Sequence, residues 1–573
     1  MRNKEIADLL NRMGALLELK GEIIFKIRAY YKAAENINNL SEDIQAVAQE
    51  GRLGDIPGVG KAVEQKIKDY LATGKVPAYE KLIKEIPETL LDVMNIPSVG
   101  PKKAKLFFDE LKIKNIDDLQ KAAQQGTLLT LPSVKEKTVE NILKGIDVVR
   151  QGQSRMNLGK ATDIADGIVQ TLKNLPGVKK ISLAGSLRRG CETVGDIDIL
   201  VDAKNPKKIM DAFVSLPQVK SVNAHGDTKS SILTQANVQV DLRVVDSESF
   251  GAALMYFTGS KSFNIKIRQV AQKKKMKVNE YGVFKVNGKS EKSVAGKSEE
   301  DCFKALGLPY ICPELREEMG EKALFGAGKI PVLIEQNDIQ GELHVHSTYS
   351  DGRNTIEEMA VAAQKRGYKY LAISDHSARL KVARGVSPAD LKKKRKEIDQ
   401  LNKKFKDFRI LFGSEVEIDM DGNLDYNDEI LSGFDVVIGA IHSGFEQSSA
   451  QLTKRLVKAC QNKRVNLIAH PMGGHIGKRE PYSVDFTEVC KAAADHNVFL
   501  EINAFPVRLD LNSSNVYFAK KQGVKFVINT DSHRVEHMDY MKLGISIARR
   551  GWLTKKDVLN TLPVTQLLKT LKK

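Results

Sequence analysis

The spacing of apolar residues changes along the chain and predicts three structural regions. Residues 1–150 carry apolar positions at helical spacing in short stretches, beginning with the amphipathic segment MRNKEIADLLNRMGALLELKGE. From about 151 to 317, strand-like apolar runs alternate with helical stretches, and the same alternation resumes at 338 and continues to the C-terminus. These periods predict a helical N-terminal region followed by two α/β regions.

A segment punctuated by glycine and proline, 318–337, separates the two α/β regions and is predicted to be a linker. Strands that alternate regularly with helices are typical of a parallel sheet covered by helices. The region 338–573 is therefore predicted to be an α/β barrel or a layered sheet.

Length and composition favour a cytoplasmic protein with several hydrophobic cores. The chain has 573 residues, of which 42% are hydrophobic, enough for several domains. Neither a run of eighteen apolar residues nor the apolar core of a signal peptide is found in the sequence. The five cysteines form no CxxC pair, which favours reduced thiols in a reducing compartment.

The formal net charge of +17 suggests a polyanionic partner, although a solvated basic surface would give the same total. Lysine and arginine outnumber aspartate and glutamate by 24 to 22 in residues 1–150, 26 to 18 in 151–317 and 39 to 32 in 318–573. The basic excess thus lies in the last two regions. If the first region binds phosphate, it must do so mainly through backbone groups.

The helical region contains a repeated turn: IPGVG at 56–60, IPSVG at 96–100 and LPSVK at 131–135. A tight glycine turn before a helix presents backbone N–H groups to a phosphate, as in a helix-hairpin-helix element. One copy would be only a loop, but a repeat favours DNA binding without sequence specificity. Lys135 replaces the last glycine in the third copy, so the predicted phosphate contacts are Gly58, Gly60, Ser98 and Gly100.

The second region carries three aspartates in strand-like segments. The segment 195–201, GDIDILV, places Asp196 and Asp198 on one face of a strand, and 238–244, VQVDLRV, places Asp241 and Arg243 together in the same way. One Asp-x-Asp pair would fit a solvated strand edge. A Gly-Ser turn upstream and a third aspartate favour two Mg²⁺ or Mn²⁺ ions instead.

These motifs, with YFTGSKSFNIKIR at 256–268 and NEYG at 279–282, resemble the family X DNA polymerases over residues 1 to about 317. The resemblance implies a polymerase beta-like palm in which the three aspartates are the metal ligands and Asp241 partners the primer hydroxyl. It implies that Arg243 contacts DNA and that Arg268 contacts the template strand. It assigns the incoming nucleotide to Arg155, Gly185, Ser186, Arg189, Gly195, Tyr256, Phe257, Gly259 and Asn264.

The resemblance also has departures. Lys261 and Ile265 stand where the mammalian relative has an acidic residue and a lysine, so base discrimination need not match. Residues 1–86 resemble the family's deoxyribose-phosphate lyase domain, with Lys66 at the Schiff-base position and Lys26 and Tyr30 at supporting positions. Because Phe25 replaces a histidine of the phosphate pocket, 5′-phosphate binding is preferred to lyase activity.

In the third region, nine potential metal ligands follow apolar strand-like runs. Parallel strands of a barrel bring their C-terminal ends to one face, so these side chains are expected to meet there. Their number exceeds the need of one ion and predicts two or three Mn²⁺ or Zn²⁺ ions. The ligands are His344, His346, Asp351, His376, Glu415, His442, His470, Asp531 and His533.

The same set resembles the polymerase and histidinol phosphatase (PHP) family over 338–573. The resemblance implies a distorted seven-stranded (β/α) barrel and an active metal-dependent phosphoesterase. Asp375, His475 and Asn503 are expected to be supporting or substrate-contacting residues. With both resemblances, the predicted domains are 1–86, 87–150, the palm at 151–250, a nucleotide-selecting subdomain at 251–317, the linker, and 338–573.

The residues alone predict two metal centres that act on phosphates, in a chain without a membrane segment. The resemblance to family X implies a monomeric repair polymerase that fills short gaps in DNA by using dNTPs. The resemblance implies a Mn²⁺-dependent 3′-5′ exonuclease, with abasic-site endonuclease or 3′-phosphatase activity as alternatives. Two further hypotheses are a nucleotidyltransferase for RNA ends or small molecules and a non-catalytic DNA-binding scaffold. The paired helix-hairpin-helix turns disfavour the first, and the complete ligand sets disfavour the second.

Overall fold

A computed structural model describes residues 3–572 except for 39, 41–42, 95, 97–98, 133, 151–154, 289, 318–324 and 326–329. The chain divides into two compact units, 1–153 and 154–573. Among the described residues, no helix has both the length and the apolarity needed to cross a bilayer. The five cysteines are free thiols.

The first unit is helical, as predicted. Its helices share one cluster of buried side chains that extends from Ile6 to Ile146. Residues from both sides of position 86 contribute to this cluster, so the core itself marks no boundary there. The predicted domain boundary at 86 stays a prediction. The helices are α1 (Asn3–Lys20), α2 (Ile24–Asn38), α3 (Ile44–Gln49), α4 (Lys61–Thr73), α5 (Pro77–Glu85), α6 (Leu90–Met94), α7 (Gly100–Leu111), α8 (Ile116–Gln124) and α9 (Glu136–Arg150).

The three repeated turns share one backbone hydrogen bond, from the N–H of the valine to the carbonyl of the residue three positions earlier. The N···O distance is 3.0 Å in the first two copies and 3.3 Å in the third. Each turn leads into α4, α7 or α9, and each valine is buried. Gly58 has φ +93°, and a Cβ there would lie 2.8 Å from the Ala33 backbone nitrogen. The predicted phosphate contact Ser98 lies outside the described residues.

The second unit begins with a five-stranded sheet in the order β2-β4-β7-β6-β5. Strands β4 and β7 are parallel neighbours, while β2 and β6 pair with them in the antiparallel sense. The elements are β1 (Met156–Asn157), α10 (Leu158–Lys173), β2 (Val178–Leu183), α11 (Gly185–Arg188), β3 (Thr193–Val194), β4 (Ile197–Ala203), α12 (Pro206–Val214), β5 (Val219–His225), β6 (Lys229–Thr234) and β7 (Gln239–Val245).

Three helices and an antiparallel three-stranded sheet, ordered β10-β9-β8, follow the palm-like sheet. Their core contains Phe263, Phe303 and Leu315, and it also includes Trp552 from the C-terminal region. The elements are α13 (Phe250–Thr258), α14 (Lys261–Lys273), β8 (Met276–Asn279), β9 (Gly282–Asn287), β10 (Ser290–Ala295) and α15 (Glu299–Ala305).

The C-terminal region forms the predicted seven-stranded parallel sheet, in sequential order. The first and last strands approach each other where Val345 pairs with Ser532, so the barrel is nearly closed. The strands are β11 (Gly341–Val345), β12 (Tyr370–Ile373), β13 (Arg409–Glu417), β14 (Val436–Ala440), β15 (Leu467–Ile468), β16 (Phe499–Asn503) and β17 (Phe526–Asn529).

Helices cover the outside of this barrel, and the segment before it is partly packed. They are α16 (Ile356–Lys365), α17 (Pro388–Lys404), α18 (Asp428–Ser432), α19 (Ser449–Gln461), α20 (Phe486–Asp495), α21 (Ser513–Lys521), α22 (Met541–Arg550) and α23 (Val564–Leu571). Much of the predicted linker lies outside the described residues. Within its described part, Leu333 and Ile334 are buried, and the Ile334 N–H donates to the Leu553 carbonyl.

Candidate active sites

Two aspartates of the palm sheet lie side by side on adjacent parallel strands. Asp198 on β4 pairs in register with Asp241 on β7. Strand β7 alternates half-buried and buried positions, which puts Asp241 and Arg243 on one face as predicted. Asp196 differs from the prediction because β4 begins at Ile197, so Asp196 lies exposed in the bend before the strand.

The electrostatics of this aspartate cluster favour a bound cation. Burial and the neighbouring charges of Asp196 and Asp241 raise the pKa of Asp198 to about 6. Asp241 is held by hydrogen bonds from Ser231 Oγ at 2.6 Å and from Gln239 Nε2 at 3.0 Å. Adjacent carboxylates repel one another, and divalent ions would relieve that repulsion. The residues therefore fit the predicted divalent metal pair.

The Gly-Ser turn packs directly against the aspartates. Gly185 has φ +60°, and a Cβ at this position would overlap Asp198 Oδ2. Arg155 reaches the same region, since its guanidinium donates to Thr193 Oγ1 at 2.8 Å and to the Thr193 carbonyl at 2.6 Å. Its Nη1 atom would lie 3.6 Å from a Cβ at Gly195. Glycine is required at 185 because both the backbone angle and the space exclude a side chain.

The predicted nucleotide-selecting residues meet at the junction of α13 and α14. Arg189 Nη1 donates to the Thr258 carbonyl at 2.6 Å, which places the arginine beside Gly259. Asn264 Nδ2 donates to the Tyr256 carbonyl at 2.7 Å, and Arg268 Nε donates to the Asn264 carbonyl at 3.2 Å. The Arg243 guanidinium lies 4.5 Å from the centre of the Phe257 ring. The structure thus brings these side chains together beside strand β7.

The nine predicted ligands of the barrel also meet, at the C-terminal ends of the strands. Three overlapping groups have ligand atoms within 4.8 Å of one another: His346, Asp351, His376 and His533; His344, His346 and Asp531; and His376, Glu415 and His442. His346 and His376 each belong to two of the groups. The ninth residue, His470, contacts Glu415 with its Nε2 atom at 3.0 Å.

Buried Glu415 is the centre of this cluster. Its carboxylate oxygens lie 2.7 Å from His376 Nδ1 and 3.1 Å from His442 Nε2. Burial alone would raise its pKa, but the surrounding histidines, His376 first, lower the pKa of Glu415 well below its usual value. Several buried ring nitrogens and one Glu415 oxygen form no hydrogen bond within the described structure. Divalent ions would satisfy these atoms, so the cluster fits two or three of them.

Supporting residues hold the ligands in place. His344 Nδ1 lies 2.7 Å from Glu501 Oε1, and His442 Nδ1 lies 2.8 Å from Glu417 Oε2. Such carboxylates orient a histidine so that its other nitrogen faces the metal. Asn503 Nδ2 donates to Asp531 Oδ2 at 3.2 Å, and its supporting role stays a prediction.

Asp375 is also buried, but it faces a different set of groups. Its carboxylate lies 2.9 Å from Lys394 Nζ and accepts hydrogen bonds from Ser347 and Ser350. Burial would raise the pKa of Asp375, but the Lys394 charge, chief among several stabilising contacts, holds it well below its usual value. Asp375 thus fixes the loop that follows His346.

Glu417, Glu501 and Lys394 also support the site, although the sequence pattern did not predict them. Glu501 lies within the apolar segment FLEIN, and Glu417 ends β13 two residues after Glu415. A carboxylate inside an apolar strand is the signal that could have identified each glutamate. Arg508 was also not selected, although its Nε atom lies 3.3 Å from Asp531 Oδ2.

The predicted lyase lysine lies on α4 in the first unit. Lys66 Nζ donates to the Ala62 carbonyl at 2.8 Å and lies 5.8 Å from the centre of the Tyr30 ring. Partial burial, followed by the charge of Lys26, lowers the pKa of Lys66. Lys66, Lys26 and Tyr30 are therefore neighbours, while Phe25 is 78% exposed beside them.

Comparison with known proteins covers nearly the whole chain. Four family matches follow its order: a helix-hairpin-helix domain at 1–76, a SAM-like helix-hairpin-helix tandem at 90–147, a DNA polymerase beta thumb at 253–317 and a PHP domain at 342–505. The chain is 41% identical over 562 residues to the DNA polymerase/3′-5′ exonuclease PolX of Bacillus subtilis (strain 168), which covers 98% of this chain and 97% of that protein.

Two further relatives each match one part. Rat (Rattus norvegicus) DNA polymerase lambda is 25% identical over 344 residues, or 55% of this chain and 56% of that protein. A probable phosphatase of Thermoanaerobacter sp. (strain X514) is 29% identical over 232 residues, or 38% of this chain and 89% of that protein.

Proposed function

Because the chain belongs to the PolX family of DNA polymerase/3′-5′ exonucleases, we propose that its two candidate sites divide these two activities between them. The palm aspartates carry out nucleotidyl transfer, and the histidine-rich barrel mouth cleaves phosphodiester bonds at the 3′ end. The observation that supports this division is the placement of two different ligand sets on two separate sheets. Oxygen ligands alone suit Mg²⁺, whereas mixed imidazole and carboxylate ligands suit Mn²⁺ or Zn²⁺.

In the palm, Asp196, Asp198 and Asp241 would hold the divalent ions, which would supply the positive charge that acidifies the primer hydroxyl and neutralises the triphosphate. Asp241 is kept in one orientation by hydrogen bonds from Ser231 and Gln239. It is the aspartate proposed to interact with the primer hydroxyl. Ser186, Arg189, Arg155 and the Gly195 backbone bind the triphosphate. A preorganised set of this kind stabilises charge that develops on the phosphates in the transition state.

The residues at the start of α14 select the nucleotide. The Tyr256 carbonyl is fixed by Asn264, so the backbone before Gly259 is rigid at the place where the sugar 2′-position is proposed to lie. Asn264 faces the minor groove of the nascent pair, and Arg268 and Arg243 contact DNA. A 2′-hydroxyl would then meet fixed backbone or a fixed ring instead of water.

In the barrel, the nine ligands would hold two or three Mn²⁺ or Zn²⁺ ions, whose chemistry when bound would be to activate water as a nucleophile and to polarise the phosphoryl group. Glu501 and Glu417 keep His344 and His442 in their ligating orientations. The left-handed backbone of Asp531, with φ +54°, directs this carboxylate from the end of β17 into the cluster.

The family's helix-hairpin-helix and thumb domains imply DNA binding. The repeated turns of the first unit hold the DNA backbone through their N–H groups, with Gly58, Gly60 and Gly100 at the points of closest approach. We assign the protein to short-gap filling by a monomer that uses dNTPs in DNA repair. A gap supplies a 3′ end for the palm and a 5′ phosphate for the Lys66 region.

The test is an assay on a gapped duplex, with and without dNTPs, in Mg²⁺ and in Mn²⁺. We expect gap filling with dNTPs in either ion and degradation from the 3′ end without dNTPs in Mn²⁺. A preparation that binds the duplex but neither extends nor degrades it would support a DNA-binding scaffold. Extension of RNA ends alone would support the alternative nucleotidyltransferase.

A second activity of the barrel is favoured by its PHP match at 342–505 together with the 29% identity of this chain, over 232 residues, to a probable phosphatase. The alternatives are removal of a 3′-phosphate and cleavage at an abasic site. A duplex that carries each lesion, incubated with Mn²⁺, separates them by product length and end group. Cleavage that persists in a His344→Ala/His346→Ala variant would assign the reaction to another part of the chain.

A further inference from the structure

Helix α22 of the barrel ends beside the palm residue proposed to bind the triphosphate. Gly190, with φ +66°, packs so closely on Ser546 that a Cβ at this position would overlap its Oγ atom. Arg550, the last residue of α22, donates from Nη1 to the Arg189 carbonyl at 3.1 Å. The barrel therefore contacts the backbone that carries Arg189.

The two arginines share one carboxylate. Arg189 Nε and Arg550 Nη1 both donate to Oε1 of Glu317, the Arg550 contact at 3.2 Å. The Cys191 thiol donates to the same oxygen at 3.1 Å. Burial alone would raise the pKa of Glu317, but the charges of Arg550 and then Arg189 lower it, which favours the ionised carboxylate.

Arg550 has further contacts that hold it in this position. Its Nε donates to Ser513 Oγ at 3.3 Å, and its Nη2 lies 3.6 Å from Glu192 Oε2. The Ser513 N–H donates to Glu192 Oε1 at 2.6 Å. Only 7% of the Arg550 side chain is exposed, so this cation lies where screening by water is weak.

From these contacts we infer that Arg550 is a positioning residue for nucleotide binding: it shares the charge of Glu317 and thereby keeps Arg189 available to the triphosphate. The inference rests on the proposed function, because it takes Arg189 as a triphosphate ligand. Without Arg550, the Glu317 charge would be balanced mainly by Arg189, whose guanidinium would be held by the glutamate more tightly. An anionic nucleotide would then compete less well for it.

The test compares Arg550→Met with Arg549→Met in the full-length protein. Arg549 is the matched control because it also joins the barrel to the preceding region, through Glu314 at 2.7 Å and the Ile334 carbonyl at 3.0 Å. Within the described part of the chain, the side-chain hydrogen bonds of Arg549 go to these two groups and not to Arg189. Single-turnover extension of a gapped duplex gives the apparent Kd for dNTP and the maximal rate separately.

We expect Arg550→Met to raise the apparent Kd for dNTP by about tenfold or more, as for loss of a charged hydrogen bond, with a smaller change in maximal rate. Arg549→Met should leave the dNTP affinity within about twofold of the wild type. A melting curve and the Mn²⁺-dependent exonuclease activity report whether the barrel remains folded. If the two variants had equal dNTP affinities, the inference would be wrong.

A double variant, Arg550→Met/Glu317→Gln, separates charge sharing from loose packing. Removing both charges frees Arg189, so the double variant should recover most of the lost dNTP affinity. A double variant as weak as Arg550→Met, or weaker, overturns the inference. Failure of the proposed function is distinguishable because the wild type itself would then not extend the primer.

Discussion

Asp198 and Asp241 occupy paired positions on the adjacent parallel strands β4 and β7, and Gly185 packs directly on the Asp198 carboxylate. The pairing follows from the sheet register, which aligns Ile197 with Val240 and Ile199 with Leu242 on the buried face. The two carboxylates therefore share the other face of the sheet, beside the Gly-Ser turn.

A methyl group at Gly185 should disable the polymerase site. Gly185→Ala would push the Asp198 carboxylate from its position and strain a backbone angle of φ +60°. We expect primer extension to fall by about 10²-fold or more. Gly177→Ala is the control, because Gly177 has a similar left-handed backbone with open space around it. Equal losses in the two variants would show that backbone strain, not displacement of Asp198, causes the defect.

The two sites should be separable by mutation. Asp196→Ala/Asp198→Ala removes carboxylates that hold divalent ions, so extension should fall by roughly 10³-fold. His344→Ala/His346→Ala should abolish 3′-end degradation and leave gap filling largely intact. Both activities are measured on one gapped duplex, and circular dichroism verifies folding. Loss of exonuclease in the aspartate variant, or of extension in the folded histidine variant, would require a shared site or strong coupling.

Metal content should depend on how many ligand groups a residue joins. His346 belongs to two of the three groups, whereas Asp351 belongs to one. After loading with Mn²⁺ and gel filtration, His346→Ala should retain fewer ions per chain than Asp351→Ala, as measured by elemental analysis. Similar retention by the two variants would contradict the assignment of His346 as a shared ligand.

Discrimination against ribonucleotides should depend on the Tyr256 backbone. The wild type should incorporate dNTP with a kcat/KM at least about tenfold above that for rNTP. Asn264→Ala removes the hydrogen bond to the Tyr256 carbonyl, so this ratio should fall. The control is Tyr256→Phe, which retains the backbone and the ring. Equal efficiencies for dNTP and rNTP in the wild type would remove the sugar-gate assignment.

The lyase question depends on Lys66. Burial and Lys26 lower the pKa of Lys66, which increases the neutral, nucleophilic fraction of its amine near neutral pH. If the activity is retained, borohydride should trap an adduct with a 5′-deoxyribose-phosphate duplex, and Lys66→Ala should lose it. Lys68→Ala should not, because Lys68 is paired with Glu64 at 2.8 Å. Absence of an adduct in the wild type would leave 5′-phosphate binding alone.

The sequence by itself determined the local parts of this protein. The three repeated turns, the strand periodicity and the nine candidate ligands of the barrel could all be predicted because short-range spacing fixes which side chains share a face. Parallel strands align their ends, so histidines and carboxylates at the ends of successive apolar runs were enough to predict the barrel site. Asp196 was predicted to lie within β4, but the strand begins one residue later, at Ile197. The end of a strand depends on where pairing with its neighbours stops.

Only the tertiary structure decided which distant residues support the sites. Glu501 lies in another strand from His344, 157 residues away, and the donor–acceptor pair of Arg550 and Arg189 is separated by 361 residues. No periodicity links such positions, since their contact depends on how sheets and helices pack after each element has formed. In the sequence, Arg550 has the pattern of a solvated charge at the end of a helix. It becomes buried and makes specific contacts only when another domain covers it.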